Sequence, residues 1–306
     1  MTVLAGTQNG VFRVSNGGPH KVLDCGWTTR IRRFASEGIF VASETGLYRA
    51  EDREDSWTDL GVPHAPVFSV AASPDGDRLY AGTLGARLYV STDPGDSWRE
   101  LEGFQELPSR ENWEIPRHQE DTHLRTLSIH PEVPNRLIAD VEVGGVHLSE
   151  DEGETWRERR EGVHDDIHQV LVRGPDHYVA ATGTGIYRTE NAGQAWNRLD
   201  IGSDHRYLSE VFVHEGSLYA GVARGPPGEW EDSGGADAVM VVSRDDGESF
   251  AELPYPGGPE EVALAWTTTE GDLVAGTNEG RIIRRVGDGW ETVTTVSHGI
   301  RSLESV

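Results

Sequence analysis

Ser91-Thr-Asp-Pro-Gly-Asp-Ser-Trp98 decides how this chain is read, because it recurs. Ser149-Glu-Asp-Glu-Gly-Glu-Thr-Trp156 and Ser243-Arg-Asp-Asp-Gly-Glu-Ser-Phe250 are further copies. Thr189-Glu-Asn-Ala-Gly-Gln-Ala-Trp196 is a softened fourth, and Asp52 to Trp57 keeps only the end of the pattern. Ser or Thr, then Asp, then Gly two residues later is the chemistry of a tight turn. The side-chain oxygens accept hydrogen bonds from the turn's own backbone, and Gly supplies positive φ. The closing Trp is an apolar plug that needs a neighbouring layer to cover it. A unit repeated at this spacing implies a repeat architecture.

Outward from each copy the same neighbours return: an apolar run, a strand ending in a small pair, a short strand ending in Tyr or Leu, and an alternating strand after the Trp. The second strand of the unit is the easiest to count. It runs Val3 to Gly6, Phe40 to Ser43, Leu79 to Gly82, Leu137 to Asp140, Tyr178 to Ala181, Leu218 to Gly221 and Leu273 to Gly276, which makes seven. Short strands at regular spacing predict an all-β fold, a single seven-bladed β-propeller of four-stranded antiparallel blades over residues 1–306. The first unit lacks its leading strand, and Gly299 to Val306 reads like the leading strands elsewhere. The C-terminal strand is therefore expected to pair in blade one and close the ring.

The run S-x-D-x-G-x-[ST]-W resembles the Asp-box (BNR) repeat of sialidases, sortilin-type domains and photosystem II assembly factors. That resemblance implies a propeller whose boxes are structural turns. Sialidase catalysis would need an arginine triad, a Tyr nucleophile paired with Glu, and an Asp acid/base on a six-bladed ring. The blade count here is seven, Glu114-Ile-Pro-Arg117 is not the family's early Arg-Ile-Pro motif, and only Tyr207 and Tyr255 fall where they could reach a channel mouth. Sialidase catalysis is not carried over. The assembly-factor branch fits better in blade number and in Arg near a channel.

Composition bounds the setting. There are 52 acidic residues against 27 basic ones, a net charge of -25, and Lys21 is the only lysine. This balance resembles that of a salt-in halophilic archaeon, whose surface carboxylates keep proteins hydrated in molar salt. It excludes nonspecific binding to nucleic acid or an anionic membrane. Cys25 stands alone, so no intrachain disulfide or Cys-based zinc site forms. Met1 leads straight into a strand with no signal-like segment, so a cytoplasmic protein is expected.

Two insertions interrupt the period, residues 103–122 with Trp113 and residues 223–238 with Trp230. Both emerge on the face opposite the Asp-box turns, and loops on a rigid scaffold are where function collects. Aligning the leading strands on Ile31, Val67, Leu124, Ile167, Leu208, Val262 and Ile300 gathers polar residues at the same mouth. Arg30, Arg32, Arg125, Arg206 and Arg301, with Tyr207 and Trp113, are candidates to hold a carboxylate or phosphate, which guanidinium forks suit. His64, His123, His164, His168 and His205 are candidate ligands of a divalent transition metal, with Asp121, Asp166 or Glu261 beside them. A third reading has these side chains plugging the mouth with salt bridges. The favoured function is binding of an anionic small molecule or protein partner. The alternative is a hydrolase or lyase with a metal-assisted His/carboxylate site.

Overall fold

The computed structural model describes residues 1–34, 37–51, 56–115, 120–130, 132–230 and 235–306, with the backbone alone at 114–115 and 120–121. Most of the Asp52–Trp57 box, Arg117 and His118 lie outside the described residues, as does part of each insertion. The side chain of Asp121 is likewise not described.

Seven four-stranded antiparallel sheets and one two-stranded hairpin contain all the described strands, and the fold is a seven-bladed β-propeller. The leading strand of each blade lies at the inner edge: Thr28–Phe34, Val67–Ala72, Leu124–His130, Ile167–Val172, Phe212–His214 and Ala263–Thr269 in blades two to seven. Blade one takes its inner strand from the C-terminus. Ile300–Ser305 pairs with Val3–Thr7, from Val3↔Ser305 to Thr7↔Ile300, as the missing leading strand requires. Among the described residues no helix is long and apolar enough to cross a membrane.

Contacts group the chain into two compact units. One holds residues 1–28, 181–186 and 198–306, and the other holds 29–180 and 187–197. In the second unit, blades two to five pack through apolar layers. Phe40, Leu47, Val67, Val70 and Leu79 form one such layer. Tyr80, Leu88, Leu101, Phe104 and Leu124 form part of another. In the first unit, Val3, Val14, Val274, Ile282, Ile300 and Leu303 lock the closing strand between blades.

Four turns share one hydrogen-bond pattern. Ser91 Oγ donates to Asp93 Oδ1 at 2.8 Å and accepts from Gly95 N at 2.9 Å. Asp93 then accepts from the Ser97 backbone and hydroxyl. Ser149/Asp151, Thr189/Asn191 and Ser243/Asp245 repeat the arrangement, Asn191 replacing the carboxylate with an amide. Gly95 has φ 95° and sits so close to Leu60 that a Cβ would lie 3.0 Å from it. Trp98 donates to Leu60 O and Trp196 to Arg159 O, both at 2.8 Å, so each plug is stapled to the end of the preceding blade. The fourth strand starts one residue after the aromatic plug, at Arg99, Arg157, Asn197 and Ala251.

Blade six departs from the pattern. Its inner strand begins at Phe212 rather than Leu208. Tyr207 bridges to Ala223 instead, and the buried Glu210 carboxylate accepts the Trp266 backbone N–H at 2.7 Å.

Candidate ligand-binding cleft and its polar cluster

The inner strands carry a device that alternation alone does not reveal. Their pairing skips one residue between Val67 and Ser69, between Leu124 and Thr126, and between Ala263 and Ala265. The C-terminal strand skips Arg301 in the same place. Each skip is a β-bulge, which re-aims the extra side chain. The bulged residues are Phe68, Arg125, Leu264 and Arg301.

In the second unit these bulges assemble a polar cluster. Phe68 stacks on His123 with ring centroids 3.8 Å apart. His123 Nε2 donates to Glu142 Oε2 at 2.8 Å, and Arg125 donates to the same oxygen at 2.9 Å. His168 Nε2 lies 3.2 Å from Asp166 Oδ1, and Asp166 bridges to Glu142 through the backbone. Burial pushes the His123 imidazole down, and Glu142 only partly offsets this. Burial also works to raise Glu142, but the Arg125 charge and the His123 hydrogen bond outweigh it and hold the carboxyl well below its usual range. The two shifts fit together if His123 is a neutral N–H donor and Arg125 supplies the counter-charge. Asp166 is also lowered, burial being overcome by the hydrogen bond and charge of His168.

Beneath this cluster lies Asp140, fully buried at the end of the second strand of blade four. The matching positions in the other blades are Gly6, Ala42, Gly82, Ala181, Gly221 and Gly276. The small residue is needed there, since a Cβ on Gly82 would come within 2.4 Å of Ser69 Oγ and 2.7 Å of Leu124. In blade three Ser69 Oγ donates onward to Leu124 O at 2.8 Å. In blade four the equivalent Thr126 hydroxyl donates to Asp140 Oδ1 instead, and itself accepts from Val170 N. Asp140 Oδ2 is buried with no hydrogen-bond partner. Burial raises the Asp140 carboxyl to about 7, against the pull of Thr126, Arg30 and Arg125. One carboxylate in a column of Gly and Ala is visible in the sequence, although it lies outside the leading-strand columns that gather the mouth residues.

Thr126 also lines a cleft of about 410 Å³ formed by the inner strands of blades two to five. Its walls are mainly aliphatic, with Val70, Leu127, Ile129 and Val172 among them, and its polar side chains are Arg32, Thr126, Ser128 and Gln169. Arg32 is the single charged residue among the fourteen that line it, and no acidic residue does. The cleft follows the C-terminal halves of the inner strands and reaches Pro74 in the turn beyond. The insertion at 103–122 enters at the opposite, N-terminal end of the Leu124–His130 strand, so it and the cleft lie at different ends of that strand.

The sequence-derived candidates therefore separate. Arg32 lines the cleft. Arg30 is buried and acts on Asp140, while Arg125 is committed to Glu142. Trp113 is a correction. It is 3% exposed, donates to Ser109 Oγ at 2.9 Å and packs against Phe104 and His147, so it serves as the core of its own loop. The histidines do not gather either. His64 is exposed and hydrogen-bonds the Tyr89 hydroxyl at 2.6 Å, and His164 Nδ1 accepts from Asp166 N in its own turn. Among the described residues no group of three or more His, Cys, Asp or Glu is placed to hold a metal ion. In the other unit His205 is buried against Ser203 and the Asp237 carbonyl, and Tyr207 packs edge-on against Trp230. Arg206 and Arg301 are exposed there, and Arg281 is bound to Glu261.

No protein-family model matches the sequence. No curated protein matches it either. Solved structures do match in fold. An ancestral GH74 enzyme aligns with TM-score 0.66 at 14% identity, over 96% of this chain and 39% of that one. The GH74 xyloglucanase of Xanthomonas campestris aligns with TM-score 0.63 at 17% identity, over 88% of this chain and 45% of that one. YCF48 bound to a D1 peptide aligns with TM-score 0.60 at 16% identity, over 87% and 81%. The chain thus spans less than half the length of the two GH74 structures. At these identities the likeness is one of fold, and propellers of this kind serve both hydrolysis and binding.

Proposed function

We propose that this protein is a ligand-binding propeller of the Asp-box type, and that its cleft takes a small anionic molecule with an apolar body. One observation carries this reading. In a chain of net charge -25, the cleft is lined by one charged residue, Arg32, and by no acid. Among the described residues no carboxylate pairs with Arg32, whereas Arg125 is neutralised by Glu142. A guanidinium in a largely apolar wall, with Ser128, Thr126 and Gln169 as secondary partners, suits a carboxylate, sulfonate or phosphate on an apolar carrier. The acidic surface speaks against nucleic acid and anionic membranes as partners, and a cytoplasmic, salt-rich setting fits the composition.

A hydrolase reading is less favoured. Glu142 and Asp166, the carboxylates that come together, are both engaged by His or Arg. Neither is presented to the cleft.

The test is binding of octanoate and of anilinonaphthalene sulfonate by calorimetry, with the wild type and Arg32→Met. Loss of a charge-assisted pair is expected to weaken binding by roughly tenfold to a hundredfold. Equal affinity in the variant, or no binding by the wild type, sinks the reading.

A further inference from the structure

The Asp140 side chain is the least expected feature of blade four. It stands where every other blade has Gly or Ala, its Oδ1 is held by the Thr126 hydroxyl, and its Oδ2 is buried without a partner. Thr126 is shared between this carboxyl and the wall of the cleft. A ligand against Thr126 is therefore one residue away from the carboxyl.

We propose that Asp140 is a proton-linked control on the cleft: its neutral acid form favours an anion beside Arg32, and its carboxylate form opposes one. This rests on the cleft being an anion site. The physical basis is the partly desolvated charge–charge repulsion between a bound anion and an ionised Asp140. Linkage makes the effect reciprocal, so that binding the anion draws a proton onto the carboxyl. Burial supports the required titration range by lifting the carboxyl to about 7. A neutral acid also suits the orphaned oxygen, because burying an unpaired polar atom costs less when it carries no charge.

The groups around Asp140 are accounted for. From the inner strand of blade two comes Arg30, and from that of blade four come Arg125 and Thr126. Glu142, two residues along the same strand, is held ionised by Arg125, and His123 is kept neutral by burial. The third strand of blade four offers only Val146 opposite Asp140. The inner strand of blade five contributes His168, paired with Asp166. His147, next to Val146 on the third strand of blade four, is pushed down to about 3 by burial and so is neutral at both pH values of the test.

The experiment measures binding of anilinonaphthalene sulfonate, whose sulfonate stays ionised throughout, at pH 6 and pH 8. It compares the wild type, Asp140→Asn and Arg32→Met, and follows the Asp140 carboxyl by carbon-13 NMR in ligand-free wild type. At an effective dielectric of about 20 and a separation of about 10 Å, wild-type affinity is expected to fall on the order of tenfold from pH 6 to pH 8. Asp140→Asn should bind equally at both. The ligand-free carboxyl should titrate between about pH 6 and 8. If the probe binds through Arg32 but Asp140→Asn keeps the wild-type pH dependence, the proton link is wrong and the anion site stands. A carboxyl already ionised at pH 6 also overturns the link, whether or not Asp140→Asn folds. No binding, or binding indifferent to Arg32→Met, overturns both.

Discussion

Replacing Asp140 by Asn should change how stability depends on pH, whatever the cleft binds. In the folded protein burial raises the Asp140 carboxyl to about 7, from 3.8 for an exposed group. A folded pKa above the unfolded one stabilises at low pH, and that contribution is lost as pH rises through the folded value. A gap of roughly three pH units at 1.36 kcal/mol each is about 4 kcal/mol, lost between about pH 4 and 7. His147, on the neighbouring strand, has the opposite sign. It is fully buried, and burial pushes it down to about 3 from 6.5. Its contribution is present above pH 6.5 and is lost as pH falls toward 3. Between about pH 4 and 6.5 the two slopes offset, so the wild type should show a shallow profile there. Urea denaturation at half-unit steps from pH 4 to 8 would test this. Plotted as variant minus wild type, Asp140→Asn should gain about 4 kcal/mol from the acid to the alkaline end, whatever constant offset the new amide adds. His147→Leu should unmask the opposite member, leaving a profile that falls with pH. Parallel curves for wild type and Asp140→Asn would refute the reasoning, because Asp140 would then not be an ionised, desolvated group at pH 8.

Three further outcomes are expected. Deleting Leu303 to Val306 removes the pairs Ala5↔Leu303, Leu4↔Glu304 and Val3↔Ser305 and a buried leucine. It should cost at least about 3 kcal/mol in a single cooperative transition, and a melt like that of the full chain would mean the closing strand is dispensable. Ser149→Ala strands the buried Gly153 N–H that the hydroxyl now accepts, at an expected cost of about 1–2 kcal/mol by thermal denaturation. Raising KCl from low to molar concentration should increase Tm by screening the repulsion among 52 acidic residues, since the Debye length falls from about 10 Å to 3 Å between 0.1 M and 1 M. A Tm indifferent to salt would show that the negative charge is spread too thinly to matter.

The blades were legible in the sequence because they rest on local rules. Each Ser-x-Asp-x-Gly turn satisfies its own backbone, and Gly95 is required by its φ and by Leu60 together. Such features need only a few neighbouring residues to be read. Strand closure was legible too, because a unit lacking its first strand leaves Val3–Thr7 with an unpaired edge that only a matching strand can fill. The site was less so, and the reason is the bulge. Alternation assigns side chains to two faces, and one unpaired residue resets that assignment at Phe68, Arg125 and Arg301. Periodicity placed polar side chains at one mouth but could not say which pair with each other. Arg125, His123 and Glu142 turn out to satisfy one another, while Arg32, two residues from Arg30, lines the cleft.

Trp113 and Asp140 show two ways in which a residue type misleads. An aromatic in a long insertion reads as a ligand contact, yet an insertion of about twenty residues in an acidic chain must bury something to hold a shape. Trp113 and Phe104 are what this one has. A carboxylate at the end of an otherwise apolar strand reads as the strand's exposed limit. Asp140 is instead the most deeply buried acid among the described residues, tolerated because Thr126 turns its hydroxyl to it where Ser69 turns to the next blade. In the second unit such hydroxyl-to-backbone bonds join neighbouring inner strands, Thr29 to Val67 O and Ser69 to Leu124 O, and at Thr126 the hydroxyl is given instead to a carboxyl that burial raises to about 7. That exchange, more than the histidines or the arginines at the mouth, is the feature of this propeller that its packing alone does not require.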